Sequence, residues 1–176
     1  MKKFYLICVV VLISSVSLFA QRPGISIGGN AYIPVGDWAE FASTGFGGSV
    51  TYEHPLGKNI MGVLYSGYTS FTGDTEVTWG TMVPLLAGAK FYFTPKQNWY
   101  VAALLGVNFT TAKVTIALPD ETTSEGSASS TEFTGNVNIG YEIKTSEKGA
   151  VDISAGFVYI DQLSYYGVRL AYIFKL

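Results

Sequence analysis

The only histidine of the chain, His54, directly follows the carboxylate Glu53. A histidine beside a carboxylate is a residue pair from which a general base is built. The surrounding segment alternates like a β-strand, however, and successive side chains of a strand point to opposite faces. We therefore interpret His54 as an interfacial residue beside the following turn, and the sequence predicts no catalytic residue.

Metal-binding chemistry is equally sparse. The only cysteine is Cys8, and the chain has neither a pair of histidines nor acids at calcium-loop spacing. The sequence therefore predicts no metal site and no cofactor. Eight acids in alternate connections between the predicted strands could attract divalent cations, although ordinary solvation is the default interpretation. These acids are Asp37, Glu40, Asp74, Glu76, Asp120, Glu121, Glu125 and Asp161.

The composition raises the question of where the apolar surface lies. Of 176 residues, 48% are apolar, 15% aromatic and only 14% charged, and 20 are glycine. The apolar content excludes a disordered chain, and the glycine content excludes a coiled coil. A net charge of −2 with no lysine- or arginine-rich stretch excludes a basic nucleic-acid surface. The length allows one domain.

The first residues have the composition of an export signal. Two lysines precede an uncharged, mostly apolar run, and Ala20 supplies a small residue before Gln21. We predict a cleaved secretory signal over residues 1–20 and a single domain over residues 21–176. An uncleaved membrane anchor is the alternative, but the run is short for a membrane span.

The rest of the chain divides into eight strand-like stretches separated by turn chemistry. Short connections alternate with the longer predicted loops 35–44, 72–81 and 112–130. This alternation is typical of an all-β, antiparallel up-and-down transmembrane barrel, with short periplasmic turns and long outer loops. The predicted strands are residues 24–34, 45–54, 60–71, 82–93, 98–111, 131–143, 150–160 and 165–176.

The stretch 131–143 shows the two faces of a strand most clearly. Phe133, Val137 and Ile139 share the apolar face, and Glu132 and Thr134 lie on the polar face. One glycine on the polar face of each strand indicates the narrow interior of a closed barrel, with the apolar face toward lipid. A soluble lipocalin-like barrel, apolar inside, is the alternative. The glycines are Gly28, Gly47, Gly62, Gly88, Gly106, Gly140, Gly156 and Gly167.

Aromatic residues on the apolar face lie near the strand ends, and aliphatic residues such as Val63 lie between them. Two aromatic girdles around an aliphatic band are typical of the two membrane interfaces. The predicted periplasmic girdle is Tyr52, Phe93, Trp99, Tyr141 and Phe174. The predicted outer girdle is Phe46, Phe71, Phe109, Phe133, Tyr159 and Tyr166.

Five charged side chains fall on the glycine face of the strands. Unpaired charges in an enclosed interior are costly, so the two cations should pair with the three acids. The alternative is a wetted lumen in which the charges interact little. A narrow interior filled with ion pairs predicts a plugged barrel. The five residues are Glu53, Lys90, Glu142, Asp152 and Arg169.

With these features the chain resembles the small eight-stranded outer-membrane barrels, which include the transmembrane domain of OmpA and the OmpX group. Residues 31–38 (AYIPVGDW) and 45–48 (GFGG) are similar to the first hairpin of the outer membrane protein beta-barrel domain of Bacteroidetes-like bacteria. Residues 172–176 (YIFKL) are similar to the terminal signal read by the barrel assembly machinery, except that Leu176 replaces the usual aromatic residue. The resemblance implies insertion by that machinery into a Gram-negative outer membrane.

The favoured function is structural or surface-interactive: a monomer in outer-membrane lipid with a plugged lumen and acidic outer loops. Trp38 and Phe41 in the first loop could contact a partner or anchor at the interface. A narrow porin-like channel gated by Glu53, Lys90 and Arg169 is the alternative. Some barrels of this size are lipid A acyltransferases or deacylases that use a histidine, a serine and a carboxylate. The opposite faces of His54 and Glu53 disfavour that activity here.

Overall fold

The computed structural model describes residues 22–36, 39, 43–72, 77–117, 123–160 and 163–176. They form eight antiparallel strands closed into one barrel, as predicted. Each strand pairs with its neighbours in sequence, and β8 returns to β1. The strands are β1 Gly24–Val35, β2 Gly45–Pro55, β3 Ile60–Thr72, β4 Val77–Tyr92, β5 Trp99–Ala117, β6 Thr123–Ser146, β7 Gly149–Ile160 and β8 Leu163–Lys175.

Within this part of the chain, no helix is long and apolar enough to cross a bilayer.

Closure depends on the pairing of the first and last strands. The β1–β8 ladder runs from Gly24 opposite Lys175 to Val35 opposite Ser164. At the end of the ladder where Gly24 lies opposite Lys175, the Leu176 amide donates to the Pro23 carbonyl at 2.8 Å. This end of the barrel also carries the short connections 56–59, 93–98 and 147–148, and we call it the turn end. The opposite end is the loop end.

The barrel is apolar outside and polar inside. On the outward face Ile27, Leu105 and Val137 are 60%, 60% and 63% exposed, whereas inward Ser26 and Asp152 are fully buried. A soluble barrel has the reverse arrangement, because apolar surface in water is unfavourable. An apolar outer band around a polar interior suits a lipid environment, and closing the sheet removes the edge strands whose backbone groups would otherwise face hydrocarbon unpaired.

The orientation of β3 corrects one part of the sequence interpretation. Met61, Val63 and Tyr65 point into the barrel and are buried, whereas Leu64 is 56% exposed. Val63 was predicted to face lipid. Apolar residues occupy alternate positions of both faces of Ile60–Thr72, so the period-two pattern alone does not determine which face is inside.

Pairing with the two neighbouring strands determines the orientation of β3. Val63 lies opposite the inward Glu53 of β2 and opposite Gly88 of β4. Because opposite residues share a face, Val63 must also point inward. Gly62 therefore faces outward, contrary to prediction, and Gly67 is the inward glycine of β3. A Cβ on Gly67 would lie 2.8 Å from the Gly48 carbonyl oxygen.

The predicted loops 72–81 and 112–130 are also partly wrong. Strand β4 begins at Val77, and β5 and β6 remain paired as far as Ala117 opposite Thr123. By contrast, β6 pairs with β7 only from Thr134, which lies opposite Ile160. The paired segments 107–117 and 123–133 therefore continue past the β6–β7 ladder, and we call them the ribbon. The serine- and threonine-rich sequence of its second strand lacks the apolar alternation that marks a lipid-facing strand.

Several inward glycines allow neighbouring strands to approach closely. A Cβ on Gly106 of β5 would clash with the Leu85 carbonyl oxygen and lie 2.9 Å from Leu86 Cα of β4. A Cβ on Gly88 would clash in the same way with the Ala103 carbonyl oxygen. In both places the obstacle is backbone, which cannot rotate away as a side chain can. The narrow lumen therefore requires glycine at these positions.

Candidate functional site: the barrel lumen and its loop end

The centre of the charged lumen is Lys90 of β4. Its Nζ lies 2.5 Å from Glu53 Oε1, 3.0 Å from Glu142 Oε1 and 3.9 Å from Asp152 Oδ2. The three acids come from β2, β6 and β7, so one ammonium group bridges strands on several sides of the barrel. All four side chains are at most 5% exposed. Because these side chains are so deeply buried, each charge depends on its partners for stabilisation.

Arg169 of β8 forms the second part of this network. Its Nη1 lies 3.1 Å from Asp152 Oδ1. The remaining guanidinium donors reach hydroxyls of β1 and β2: Nη2 donates to Ser26 Oγ at 2.6 Å and to Thr51 Oγ1 at 3.2 Å, and Nε donates to Ser49 Oγ at 3.0 Å. The structure thus brings the five predicted lumen charges together in one network that spans five strands.

Two tyrosines complete the hydrogen bonding of the acids. Tyr100 donates to Asp152 Oδ2 at 2.7 Å, and Tyr92 donates to Glu142 Oε1. Lys90 Nζ also lies 4.2 Å from the centroid of the Tyr100 ring, within the range of a cation–π contact. The role of these tyrosines was not predicted from the sequence, although Tyr92 lies two residues after the inward Lys90 on the same face of β4.

Farther toward the loop end the lumen changes to neutral polar groups. Ser49 Oγ donates to Asn30 Oδ1 at 3.2 Å, and Asn30 Nδ2 donates to the Tyr65 hydroxyl at 3.3 Å. The hydroxyls of Tyr65 and Tyr32 lie 3.0 Å apart. This layer separates the charged network from an apolar cluster at the loop end.

The apolar cluster contains Phe71, which corrects the predicted outer girdle. Phe71 is 2% exposed and packs inside the barrel with Met82, Val158, Ile160 and Tyr165. Its inward direction follows from the orientation of β3. The cluster covers the loop end of the lumen, while the charged network fills the turn-end half.

The remaining space in the lumen is small. A cavity of about 60 Å³ lies among Glu53, Lys90, Tyr100 and Arg169, and a second of about 20 Å³ lies under the apolar cluster. These volumes hold a few water molecules and one water molecule, respectively. A wider vestibule of about 430 Å³ opens at the turn end below Glu53 and Glu142. The lumen is thus filled rather than open along its length.

The other aromatic residues of the two predicted girdles lie at positions that face outward. At the turn end, Trp99 and Tyr141 stack edge to face with centroids 4.9 Å apart, and Tyr141 is half-buried. The outward girdle residues that are exposed are Phe46, Tyr52, Phe93, Trp99, Phe109, Phe133, Tyr159, Tyr166 and Phe174.

His54 takes no part in the lumen network. Its Nδ1 lies 3.1 Å from the hydroxyl of Tyr52 on the outer face, whereas Glu53 points inward to Lys90. The residues that the structure describes contain no group of three or more histidine, cysteine, aspartate or glutamate side chains placed to hold a metal ion. Glu53 is thus paired with Lys90 rather than with His54.

Some predicted features lie outside the described residues or side chains. These are the signal at residues 1–20, the aromatic residues Trp38 and Phe41, and the acids Asp37, Glu40, Asp74, Glu76, Asp120, Glu121, Glu125 and Asp161.

No protein-family model matches the chain, and no curated protein matches its sequence. Solved structures match its fold. The attachment invasion locus protein Ail of Yersinia pestis has a TM-score of 0.66 at 15% identity, over 89% of this chain and 99% of Ail. Neisserial surface protein A has a TM-score of 0.60 at 10% identity, over 88% and 97% of the two chains. OprG of Pseudomonas aeruginosa has a TM-score of 0.52 at 11% identity, over 89% of this chain and 96% of OprG.

The chain therefore has the fold of the small outer-membrane barrels, which confirms the resemblance inferred from its sequence at the level of the fold. The narrower similarity to the Bacteroidetes-like domain stays a prediction. Among the matching structures, one is a complex of Ail with the heparin analogue sucrose octasulfate.

Proposed function

We propose that the chain is an integral outer-membrane barrel that presents its ribbon and outer loops to a partner at the cell surface. The observation that carries this proposal is the contrast between the filled lumen and the extended ribbon. The lumen is filled by ion pairs and an apolar cluster, whereas the ribbon extends beyond the β6–β7 ladder. A filled lumen favours a role for the exterior over transport.

The ribbon gives such a partner an extended surface. Residues 123–133 of β6 pair with β5, and on their other side the described residues provide no β7 partner. At about 3.3 Å per residue, this segment is roughly 35 Å long. A strand edge of this length presents free backbone donors and acceptors, to which an added strand can bind.

The charge of the outer segments indicates the chemistry of the partner. The predicted connections at the loop end, residues 35–44, 72–81, 112–130 and 161–164, contain eight acids and a single lysine, Lys113. A sulfated sugar such as the heparin analogue bound to Ail would meet like charge here, which costs binding energy. We propose instead a partner with a basic surface, or one held through divalent cations.

The proposal includes export and assembly. Cleavage after Ala20 would leave Gln21 as the mature N-terminus, and mass spectrometry of the protein purified from outer membranes tests this. The barrel would be inserted by the barrel assembly machinery, and would stay in lipid as a monomer. Heat-modifiability on a gel tests the closed barrel, and sedimentation in detergent tests the oligomeric state.

A ribbon-shortened variant tests the surface role. Replacing residues 114–126 with Asn-Gly joins Lys113 to Ser127, which lie opposite each other in the ladder, through a two-residue hairpin turn. Proteoliposomes with the full-length protein should bind a poly-lysine surface more strongly than a heparin surface. The shortened variant should retain heat-modifiability and lose part of this binding.

A full-length variant carrying Asp120→Asn, Glu121→Gln and Glu125→Gln separates charge from ribbon length. If both variants lose the binding, the acidic charge is responsible for it. If only the shortened variant loses the binding, the strand edge is responsible. Preferential binding to heparin, or no more binding than protein-free liposomes, would contradict the proposal.

The channel and enzyme alternatives predict different measurements. Stepwise conductance of the purified protein in a planar bilayer would favour the narrow channel, and our proposal expects none. Altered lipid A after deletion of the gene would favour a lipid-modifying enzyme, and we expect unchanged lipid A.

A further inference from the structure

Three side-chain oxygens near the loop end of the lumen are buried without a hydrogen-bond partner. They are Asn108 Oδ1, Glu132 Oε2 and Thr134 Oγ1. Asn108 and Thr134 are each only 1% exposed. Buried polar atoms are almost always paired, so three unpaired oxygens in one region call for a physical explanation.

The β5–β6 ladder places these oxygens next to one another. Asn108 and Glu132 lie directly opposite each other, and Thr134 follows two residues after Glu132 on the same inward face. Side chains on opposite strand positions have Cβ atoms about 4.5–5.5 Å apart. Asn108 and Thr134 also line the cavity of about 20 Å³. The three oxygens therefore form one patch on the inner wall.

Three neighbouring donors have other partners. Asn108 Nδ2 donates to Thr110 Oγ1 at 3.1 Å, and Ser130 Oγ donates to Glu132 Oε1 at 3.0 Å. The Tyr165 hydroxyl donates to Met82 Sδ at 3.2 Å. The Thr134 hydroxyl can itself donate, whereas Asn108 Oδ1 and a carboxylate oxygen of Glu132 can only accept. A positive charge that several oxygens can approach at once would satisfy all three.

We propose that Asn108, Glu132 and Thr134 bind a hard cation, Na⁺ or Ca²⁺, on the inner wall at the base of the ribbon. Carboxylate, amide and hydroxyl oxygens are the ligands that such ions prefer. Glu132 is only half-buried and Ser130 is exposed, so ions and coordinating water can reach the patch from the loop end. The prediction of no metal site considered histidines, cysteines and groups of acids. A single carboxylate among neutral oxygens falls outside those patterns.

The position of the site gives it a structural consequence. Thr134 is the first residue of β6 that pairs with β7, and Glu132 belongs to the ribbon. A cation shared by these residues and Asn108 of β5 ties both ribbon strands at the point where the ribbon leaves the barrel. The site would fix the direction of the ribbon whether or not the ribbon binds a surface partner.

A proton is the competing occupant. If Glu132 were a neutral acid, its hydroxyl would donate to Asn108 Oδ1, and no metal ion would be required. The Glu132→Gln variant distinguishes the two, because a glutamine amide replaces the acid hydroxyl as a donor but removes the charge that holds a cation.

The test measures thermal unfolding of the full chain in detergent micelles after chelator treatment. NaCl or CaCl₂ is titrated against choline chloride at matched ionic strength. The unfolding temperature of the wild type should rise with Na⁺ or Ca²⁺ above the choline reference. The rise should be lost in Glu132→Gln and weakened in Thr134→Val, whereas Glu147→Gln, an exposed acid at the turn end, should keep it.

Binding of radioactive Na⁺ or Ca²⁺ provides a direct readout. The wild type should bind one more ion per chain than Glu132→Gln does. Background binding by the acidic outer segments should be the same in the wild type and in Glu132→Gln. A wild type that shows no specific cation effect, or a Glu132→Gln variant that keeps the same effect, would overturn the proposal. So would a Glu132→Gln variant that is equally or more stable in every salt, because that result indicates a neutral acid. Heat-modifiability of each variant verifies that its barrel is folded.

Discussion

Lys90 Nζ lies 2.5 Å from Glu53 Oε1 and thereby joins β4 to β2 across the lumen, although β3 separates these strands in the sheet. The backbone ladder connects only neighbouring strands. Contacts such as this one therefore brace strands that the backbone ladder does not join. The same ammonium group reaches Glu142 of β6, so its loss would leave acids unpaired in a closed interior.

Replacing Lys90 with methionine keeps the length of the side chain and removes its charge. Breaking a buried ion pair by removing one partner costs about 3–5 kcal/mol, so we expect a loss of that size in the free energy of unfolding. Urea titration in detergent, followed by the gel shift between folded and unfolded barrel, measures it. Adding Glu53→Gln should recover part of the loss, because one unpaired acid is then removed.

The matched control for that prediction is Lys58→Met, at an exposed lysine in a turn. An exposed substitution should change the free energy of unfolding by no more than about 0.5 kcal/mol. Equal stability of the two variants would mean that the lumen network contributes little to the fold.

Removing the guanidinium of Arg169 should not open the barrel. Arg169→Ala enlarges the cavity of about 60 Å³, but Phe71 and Tyr165 still cover the loop end. We expect no stepwise conductance from this variant in a planar bilayer. A variant that also carries Tyr165→Ala should pass ions more readily, since both obstructions are reduced. Steady conductance of the wild type that rises in Arg169→Ala alone would instead support the gated channel.

The closed barrel and the lumen charges could be predicted because outward apolar residues and inward polar residues alternate clearly in most strands. On β8, for example, Val168 and Leu170 lie outside while Arg169 lies inside. The orientation of β3 could not be predicted in this way, because both of its faces carry large apolar residues. Only pairing with Glu53 and Gly88 determines that Val63 points inward.

The ribbon was missed for a different physical reason. Alternation of apolar and polar residues is required only where a strand separates lipid from the lumen. Residues 123–130 are held by backbone pairing with β5 beyond the β6–β7 ladder, where no apolar face is needed. The sequence pattern therefore does not predict such strands. The sequence also could not predict the tyrosines that donate to the acids or the unpaired oxygens at Thr134 and its neighbours, because these features depend on which residues of different strands meet.

The inward position of Phe71 leads to a comparison with Phe46, which is 66% exposed on the outward face. Phe71→Ala removes a buried ring from the loop-end cluster and should lower the free energy of unfolding by about 3–5 kcal/mol. Phe46→Ala creates no internal cavity and should cost clearly less. Urea titration of both variants in the same detergent measures the difference. Equal effects would indicate that Phe71 faces outward, as the sequence alone suggested.

The close approach of β4 and β5 makes Gly106 sensitive to the smallest possible side chain. A Cβ at this position would clash with the Leu85 carbonyl oxygen and press on Leu86 Cα, so the strands would have to separate. Overpacking of this kind costs about 1–3 kcal/mol, and we expect Gly106→Ala to lower the free energy of unfolding by that amount.

Gly126 in the ribbon is the control, because a Cβ there meets nothing within 4 Å. Gly126→Ala should be neutral or slightly stabilising, since alanine restricts the unfolded chain more than glycine does. If urea titration finds Gly106→Ala as stable as Gly126→Ala, the two strands can separate without cost, and the narrow lumen does not require glycine there.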